Sequence, residues 1–155
     1  MADPIIKLGS TGDAVKKAQT ALIQRFYLNP GDDDSKFGPV TDFAVRSYQK
    51  DRSVGQFNAF SFPLSIDGIV GPATWSRLTP PNIQKGSKGS SVRLCQEILK
   101  SFSDPAFDPG PVDGDFGPLT ETAVKAFQGV FTDFDGKPLK VDGIVGPKTW
   151  TAMWS

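Results

Sequence analysis

The segment Asp67-Gly-Ile-Val-Gly-Pro-Ala-Thr-Trp75 returns as Asp142-Gly-Ile-Val-Gly-Pro-Lys-Thr-Trp150, and a chain that repeats itself at a fixed interval folds as repeated units. Earlier landmarks recur in the same order. Phe37-Gly-Pro-Val-Thr41, Ala44-Val45 and Tyr48-Gln49 match Phe116-Gly-Pro-Leu-Thr120, Ala123-Val124 and Phe127-Gln128. Gly9-Ser-Thr-Gly12, Val15, Gln19 and Leu22 likewise match Gly86-Ser-Lys-Gly89, Val92, Gln96 and Leu99. The interval runs 77, 79 and 75 residues along the chain, so loops drift while helices keep register. Two homologous domains follow, residues 1–79 and 83–155, joined by a proline-rich connector over 80–82.

Composition narrows the function. A formal net charge of zero, with basic residues dispersed, excludes a nucleic-acid or anionic-membrane partner held by bulk electrostatics. Residues 1–7 lack the apolar segment of a secretory signal, and no stretch approaches transmembrane length. The expectation is a chain without membrane insertion, delivered by a phage or a machine, or else a fragment. No histidine is present, which removes Cys-His and Ser-His catalysis and the commonest zinc-ligand sets. Cys95, between Val92 and Leu99 at helical spacing, reads as a small buried apolar residue. Asp32-Asp33-Asp34 and Asp133-Phe134-Asp135-Gly136 lack the full calcium-loop spacing, so neither metal nor cofactor is expected. Glycan cleavage usually needs two carboxylates flanking the bond, one with a raised pKa. Glu97 and Glu121, the only glutamates, fall on predicted helices, and the aspartates fall in turns and caps. The chain is expected not to be an enzyme.

The fold class is all-α. Val15, Ala18, Leu22 and Phe26 form one apolar stripe on a predicted helix of about four turns, repeated by Val92, Cys95, Leu99 and Phe102. Ser10 or Ser87, then Asp13 or Ser90, suit the N-cap of that helix. A second helix opens at Pro39 and Pro118 and a third at Pro72 and Pro147, since proline at the first helical position loses no needed hydrogen bond. Residues 54–66 form an insertion in the first copy, and its Phe57, Phe60 and Phe62 must be buried by the facing domain, a second chain or a larger assembly.

The order Gly-Ser-x-Gly, Val, Gln and Leu, then Asp-Gly-x-Phe-Gly-Pro-x-Thr, then Asp-Gly-Ile-Val-Gly-Pro-x-Thr-Trp resembles the peptidoglycan-binding domain 1 family, over residues 5–79 and again over 83–155. The resemblance implies two small three-helix bundles in tandem that hold bacterial cell wall, commonly as the targeting part of a hydrolase or transpeptidase. Localisation would then be at the wall or in the periplasmic or extracellular space. The alternatives are a docking piece of a phage tail, baseplate or contractile injection machine, and a targeting fragment of a longer lytic enzyme. Asp34-Ser35-Lys36 departs from the family pattern that Asp113-Gly114-Asp115 keeps, so stronger binding is expected of the second copy.

Peptidoglycan, glycan strand and stem peptide together, presents apolar sugar faces, amides and carboxylates. Arg46 and Gln49, like Lys125 and Gln128, lie three residues apart on a predicted helix face, where a cation and an amide could hold a stem carboxylate and its neighbouring peptide group. The alternative ties both glutamines to a loop carbonyl. Trp75 and Trp150 either stack on sugars or fill the core. With Asp115, these residues make up the candidate ligand-binding set.

Overall fold

The computed structural model describes residues 3–53 and 63–155, which divide into two compact units, Met1–Thr79 and Pro80–Ser155. Phe57, Phe60 and Phe62 lie outside the described residues, and so does the expectation attached to them. The first unit contains α1 (Asp13–Gln24), α2 (Pro39–Asp51) and α3 (Pro72–Leu78). The second contains α4 (Ser90–Ser101), a 3₁₀ turn (Pro105–Phe107), α5 (Pro118–Val130) and α6 (Pro147–Ala152). Among the described residues there are isolated β-bridges but no strands, and no helix is long and apolar enough to cross a membrane.

Each core follows the predicted stripes. Val15, Ala18 and Leu22 of α1 meet Ala44, Val45 and Tyr48 of α2, with Trp75 and Leu78 of α3 closing the cluster. In the second unit Val92, Cys95, Leu99, Ala123, Val124, Phe127 and Trp150 are buried in the same way. Burial pushes the Cys95 thiol well above its ordinary pKa, because a thiolate there would lose its hydration. Four helices, α2, α3, α5 and α6, begin at proline after an extended glycine.

Two local expectations are corrected. Helix α1 ends at Gln24, after twelve residues, and Phe26 stands exposed with φ of 66°. The Phe26 N–H donates to the Ile23 carbonyl and the Tyr27 N–H to the Leu22 carbonyl. These paired reverse bonds end a helix on a left-handed residue, which removes Phe26 from the stripe. Phe102 is likewise only partly covered. Nor do side chains cap α1 and α4. Gly12 and Gly89 occupy those positions with φ of 112° and 119°, a conformation closed to serine or aspartate without strain. Ser10 and Ser87 instead accept from the Lys7 and Gln84 N–H groups within the preceding turn, each at 3.0 Å.

The amino-terminal end of each unit is pinned by one bridge, Ile6 to Val70 and Ile83 to Val145. That bridge carries the residue two positions earlier to the closing helix. The Trp75 and Trp150 indole N–H groups donate to the carbonyls of Pro4 and Pro81, each at 2.9 Å.

Candidate functional site

A single device fixes every loop that follows a glutamine-bearing helix. Gln49 Nε2 donates to Asp67 Oδ1, the Ile69 carbonyl and Thr74 Oγ1 at 3.0, 2.9 and 3.1 Å. Its Oε1 accepts from the Asp67 and Gly68 N–H groups at 3.1 and 2.9 Å. Gln128 repeats every contact with Asp142, Gly143, Ile144 and Thr149. Gln19 makes the corresponding set with Asp34, Ser35, Lys36 and Thr41, and Gln96 with Asp113, Gly114, Asp115 and Thr120. The pattern Asp-x-x-x-Gly-Pro-x-Thr therefore occurs four times, each copy locked from within by one buried amide that serves both donor and acceptor needs.

The locks hold their aspartates firmly. Asp34 and Asp113 are held below the usual carboxylate range first by the backbone N–H two residues on, Lys36 or Asp115, and then by the glutamine amide. The residue after each aspartate is left-handed, with φ of 66° at Ser35, 72° at Gly68, 77° at Gly114 and 74° at Gly143. The departure Asp34-Ser35-Lys36 thus keeps the loop's hydrogen-bond scheme, and the two copies do not differ there in fold.

The expected ligand set is dispersed by this arrangement. Gln49 and Gln128 are 0% and 2% exposed and engaged on both sides of the amide, as the reading that ties them to a loop carbonyl expects, so both are parts of the loop lock. Trp75 and Trp150, at 5% and 0%, are core residues and offer no stacking surface. Arg46 and Lys125 are exposed, but on the far side of the loop from their glutamines. Arg46 Nε pairs with Asp42 at 3.1 Å and Lys125 Nζ with Glu121 at 3.9 Å. A Cβ on Gly68 would lie 2.6 Å from Asp42 Oδ1 and 2.8 Å from Arg46 Nη2, so that pair rests directly on the loop backbone. Asp115 is exposed at the surface, 3.4 Å from Lys88 Nζ.

What the second unit does offer is an open groove of about 490 Å³ between the 138–142 segment and the start of α6. Pro138, Leu139, Ile144 and Pro147 supply apolar walls, and Asn82, Lys140 and Lys148 supply polar groups. Gln128 and Asp142, of the lock, line it as well. Lys148 Nζ is 3.8 Å from Asp133, a nearly buried carboxylate that also accepts from the Asp135 and Lys137 N–H groups at 2.9 Å. The Lys137 N–H is the main reason that the Asp133 carboxyl stays below its ordinary range. The Lys148 ammonium is itself largely exposed, and 3.8 Å is a long ion pair, so the lysine can swing toward a ligand while Asp133 keeps its backbone partners. In the first unit the matching positions hold Ile5, Ser65 and Ala73. The groove went unread in the sequence, although Lys148 against Ala73 is the one difference inside the nine-residue repeat and was its visible signal.

Among the described residues, no three His, Cys, Asp or Glu side chains are grouped to hold a metal ion. Glu97 and Glu121 each pair with a cation four residues away on their own helix, Arg93 at 3.3 Å and Lys125 at 3.9 Å.

Comparison with known proteins agrees with the repeat. The family described as "Putative peptidoglycan binding domain" matches residues 11–55 and 88–153. The chain is 32% identical to a "Probable N-acetylmuramoyl-L-alanine amidase" of Bacillus licheniformis, over 97% of this chain and 45% of that protein. It is 28% identical to the N-acetylmuramoyl-L-alanine amidase CwlM of Mycobacterium tuberculosis, over 96% and 37%. The chain thus spans less than half the length of either relative. Among solved structures, the SleB N-terminal domain aligns with half of this chain and 92% of its own at 29% identity, with a TM-score of 0.40. Repeat, locked loops and profile converge: the chain belongs to the peptidoglycan-binding domain family, which it matches in both of its units.

Proposed function

We propose that this chain holds bacterial cell wall without cleaving it, and that the second unit makes the principal contact through the groove beside α6. The observation that carries this reading is the groove's composition, two lysines and an amide around apolar walls, at positions where the first unit holds Ala73, Ser65 and Ile5. A stem peptide has the complementary parts. Its carboxylate pairs with Lys140 and Lys148, its amides with Asn82, and its alanine methyl groups rest on Leu139 and Ile144. The ion-paired glutamates and the buried Cys95 support a role in recognition and not in bond cleavage.

The similarity to two amidases favours a second, compatible reading, in which the pair of units targets a lytic enzyme to its wall. Two weak sites on one chain raise residence on a polymer without either being tight.

The test is sedimentation with purified sacculi. Wild type pellets at low and moderate salt and releases no soluble fragments, while a K140E/K148E variant, changed only at exposed positions, stays largely in the supernatant. Failure of the wild type to pellet would overturn the binding reading, equal pelleting of the variant would overturn the groove, and release of reducing ends or new amines would overturn the non-catalytic assignment.

A further inference from the structure

We propose that the first unit carries a carbohydrate site of its own, on the outer face of α2, suited to the flat apolar face of an N-acetylhexosamine ring. Phe43 is 74% exposed there, a benzyl group left in water by a small unit with little apolar surface to spare. It borders an open depression of about 290 Å³, shared with Tyr27, Pro39 and Val40, and Asn29 and Asp32 line the same depression. The Asn29 N–H donates to Asp32 Oδ2 at 2.9 Å and the Asp32 N–H to the Asn29 carbonyl at 3.0 Å, so the polar rim is already closed into a turn. That turn leaves the Asn29 side-chain amide and the second Asp32 oxygen for a ligand.

The chemistry is that of a pyranose. Its axial C–H groups form an apolar face that stacks on an aromatic ring, and its equatorial hydroxyl and acetamido groups at the edge pair with an amide and a carboxylate. The second unit is built differently at the same place. Thr122 replaces Phe43, Leu119 packs within 2.9 Å of where a Cβ on Gly110 would stand, and Thr120 Oγ1 donates to the Pro109 carbonyl at 3.3 Å. Trp75 and Trp150 take the core alternative of the two the sequence left open, and the aromatic face left for stacking is that of Phe43.

The choice of an amino sugar rests on the cell-wall reading, but the site lies in the other unit and is tested separately. The experiment is an amide NMR titration of the intact chain with chitotetraose, a soluble β-1,4 N-acetylglucosamine oligomer. Saturable shifts are expected at Asn29, Asp32, Val40 and Phe43, with none at Lys140, Ile144 or Lys148, and F43A should weaken binding about tenfold at an unchanged melting temperature. Absence of saturable shifts in the first unit, or shifts indifferent to F43A, overturns the proposal. Shifts that grow with protein concentration without sugar would assign the face to a second copy and overturn it equally. Sacculus pelleting that fails while chitotetraose still titrates F43-dependently would remove the groove reading and leave this one standing; the reverse pair of results removes only this one.

Discussion

Replacing Gln128 by leucine tests whether one amide holds a whole loop. The substitution keeps the side chain's approximate size and removes five hydrogen bonds, three donated and two accepted. The Asp142 side chain can turn toward water, its N–H belongs to a half-buried residue where water can replace the amide oxygen, and Thr149 can rotate its hydroxyl. The Gly143 N–H and the Ile144 carbonyl cannot move without the backbone. A buried polar group left unpaired costs about 1–3 kcal/mol, so two of them, less some gain from the added apolar surface, give a loss of roughly 2–4 kcal/mol. A unit of this size has roughly 4–11 kcal/mol of stability in all, and the loss corresponds to a fall of roughly 10–25 °C in melting temperature. Hydrogen exchange read residue by residue would place the damage in the 142–149 loop and α6, with the first unit's amides unaffected.

The glutamate variant sharpens the test. Q128E keeps the shape but puts a carboxylate oxygen where Nε2 now lies, 3.1 Å from Asp142 Oδ1. Burial and the neighbouring carboxylate would raise the new group's folded pKa above its unfolded value of about 4.3. The penalty is then complete at neutral pH and shrinks as pH falls toward that value, where the protonated acid can donate. The gap between Q128E and wild type, measured by denaturant unfolding at matched pH, should therefore narrow on acidification. A Q128L melting temperature within about 2 °C of wild type, or a Q128E gap independent of pH, would refute the lock as the element that holds the loop.

S35G should stabilise the first unit by up to about 1 kcal/mol, because Ser35 holds φ of 66° where the other three loops carry glycine. A thermal melt checks it, and a lower melting temperature would mean that the serine earns its strained backbone by a contact stronger than the strain. Acid should unfold both units from their turns, since Asp34, Asp108, Asp113 and Asp133 all have folded pKa values depressed by hydrogen bonds that the unfolded chain lacks. Their contribution is present above the unfolded value of about 3.8 and is lost as pH falls through the lower folded values, which denaturant midpoints taken from pH 5 to pH 2 would show.

The duplication, the helix count and the proline starts were legible because each depends on local chemistry that a residue carries with it. The buried faces of Ala44, Val45 and Tyr48 came from periodicity alone. The caps at Gly12 and Gly89 were not legible, since serine and aspartate nearby offered the commoner solution and the left-handed backbone that excludes them is set by the whole turn. Of the two readings of the glutamines, the one that ties them to a loop carbonyl is the one their hydrogen bonds bear out. An amide three residues from a cation reads as a surface pair, and only the loop folding back between them shows that Gln49 lies inside and Arg46 outside. The fourfold device was hidden because its glutamine and its loop are separated by different lengths each time, 15 residues from Gln19 to Asp34 and 18 from Gln49 to Asp67.

The locks also explain where the two units are free to differ. At the end of the first bundle, Arg52 lies 4.1 Å from the Tyr48 ring, its Nη1 donates to Tyr27 Oη at 2.6 Å, and Tyr27 Oη also meets Asp51. Desolvation there is the main reason that the Tyr27 phenol is pushed up to about 12. In the second unit Phe127 and Phe131 take the places of Tyr48 and Arg52 and stack at 4.3 Å, with Phe102 and Phe107 packed around them. Buried ion networks and apolar clusters of similar volume can be close in stability, so this exchange is tolerated by the fold. Exchange of a lock is not, because each glutamine answers to backbone groups that are present whatever the side chains. On the binding proposed above, differences between the units would lie at positions that the locks do not hold, Lys140, Lys148 and Asn82 in one and Phe43 in the other, while the backbone of Asp34-Ser35-Lys36 is held as its counterpart's is.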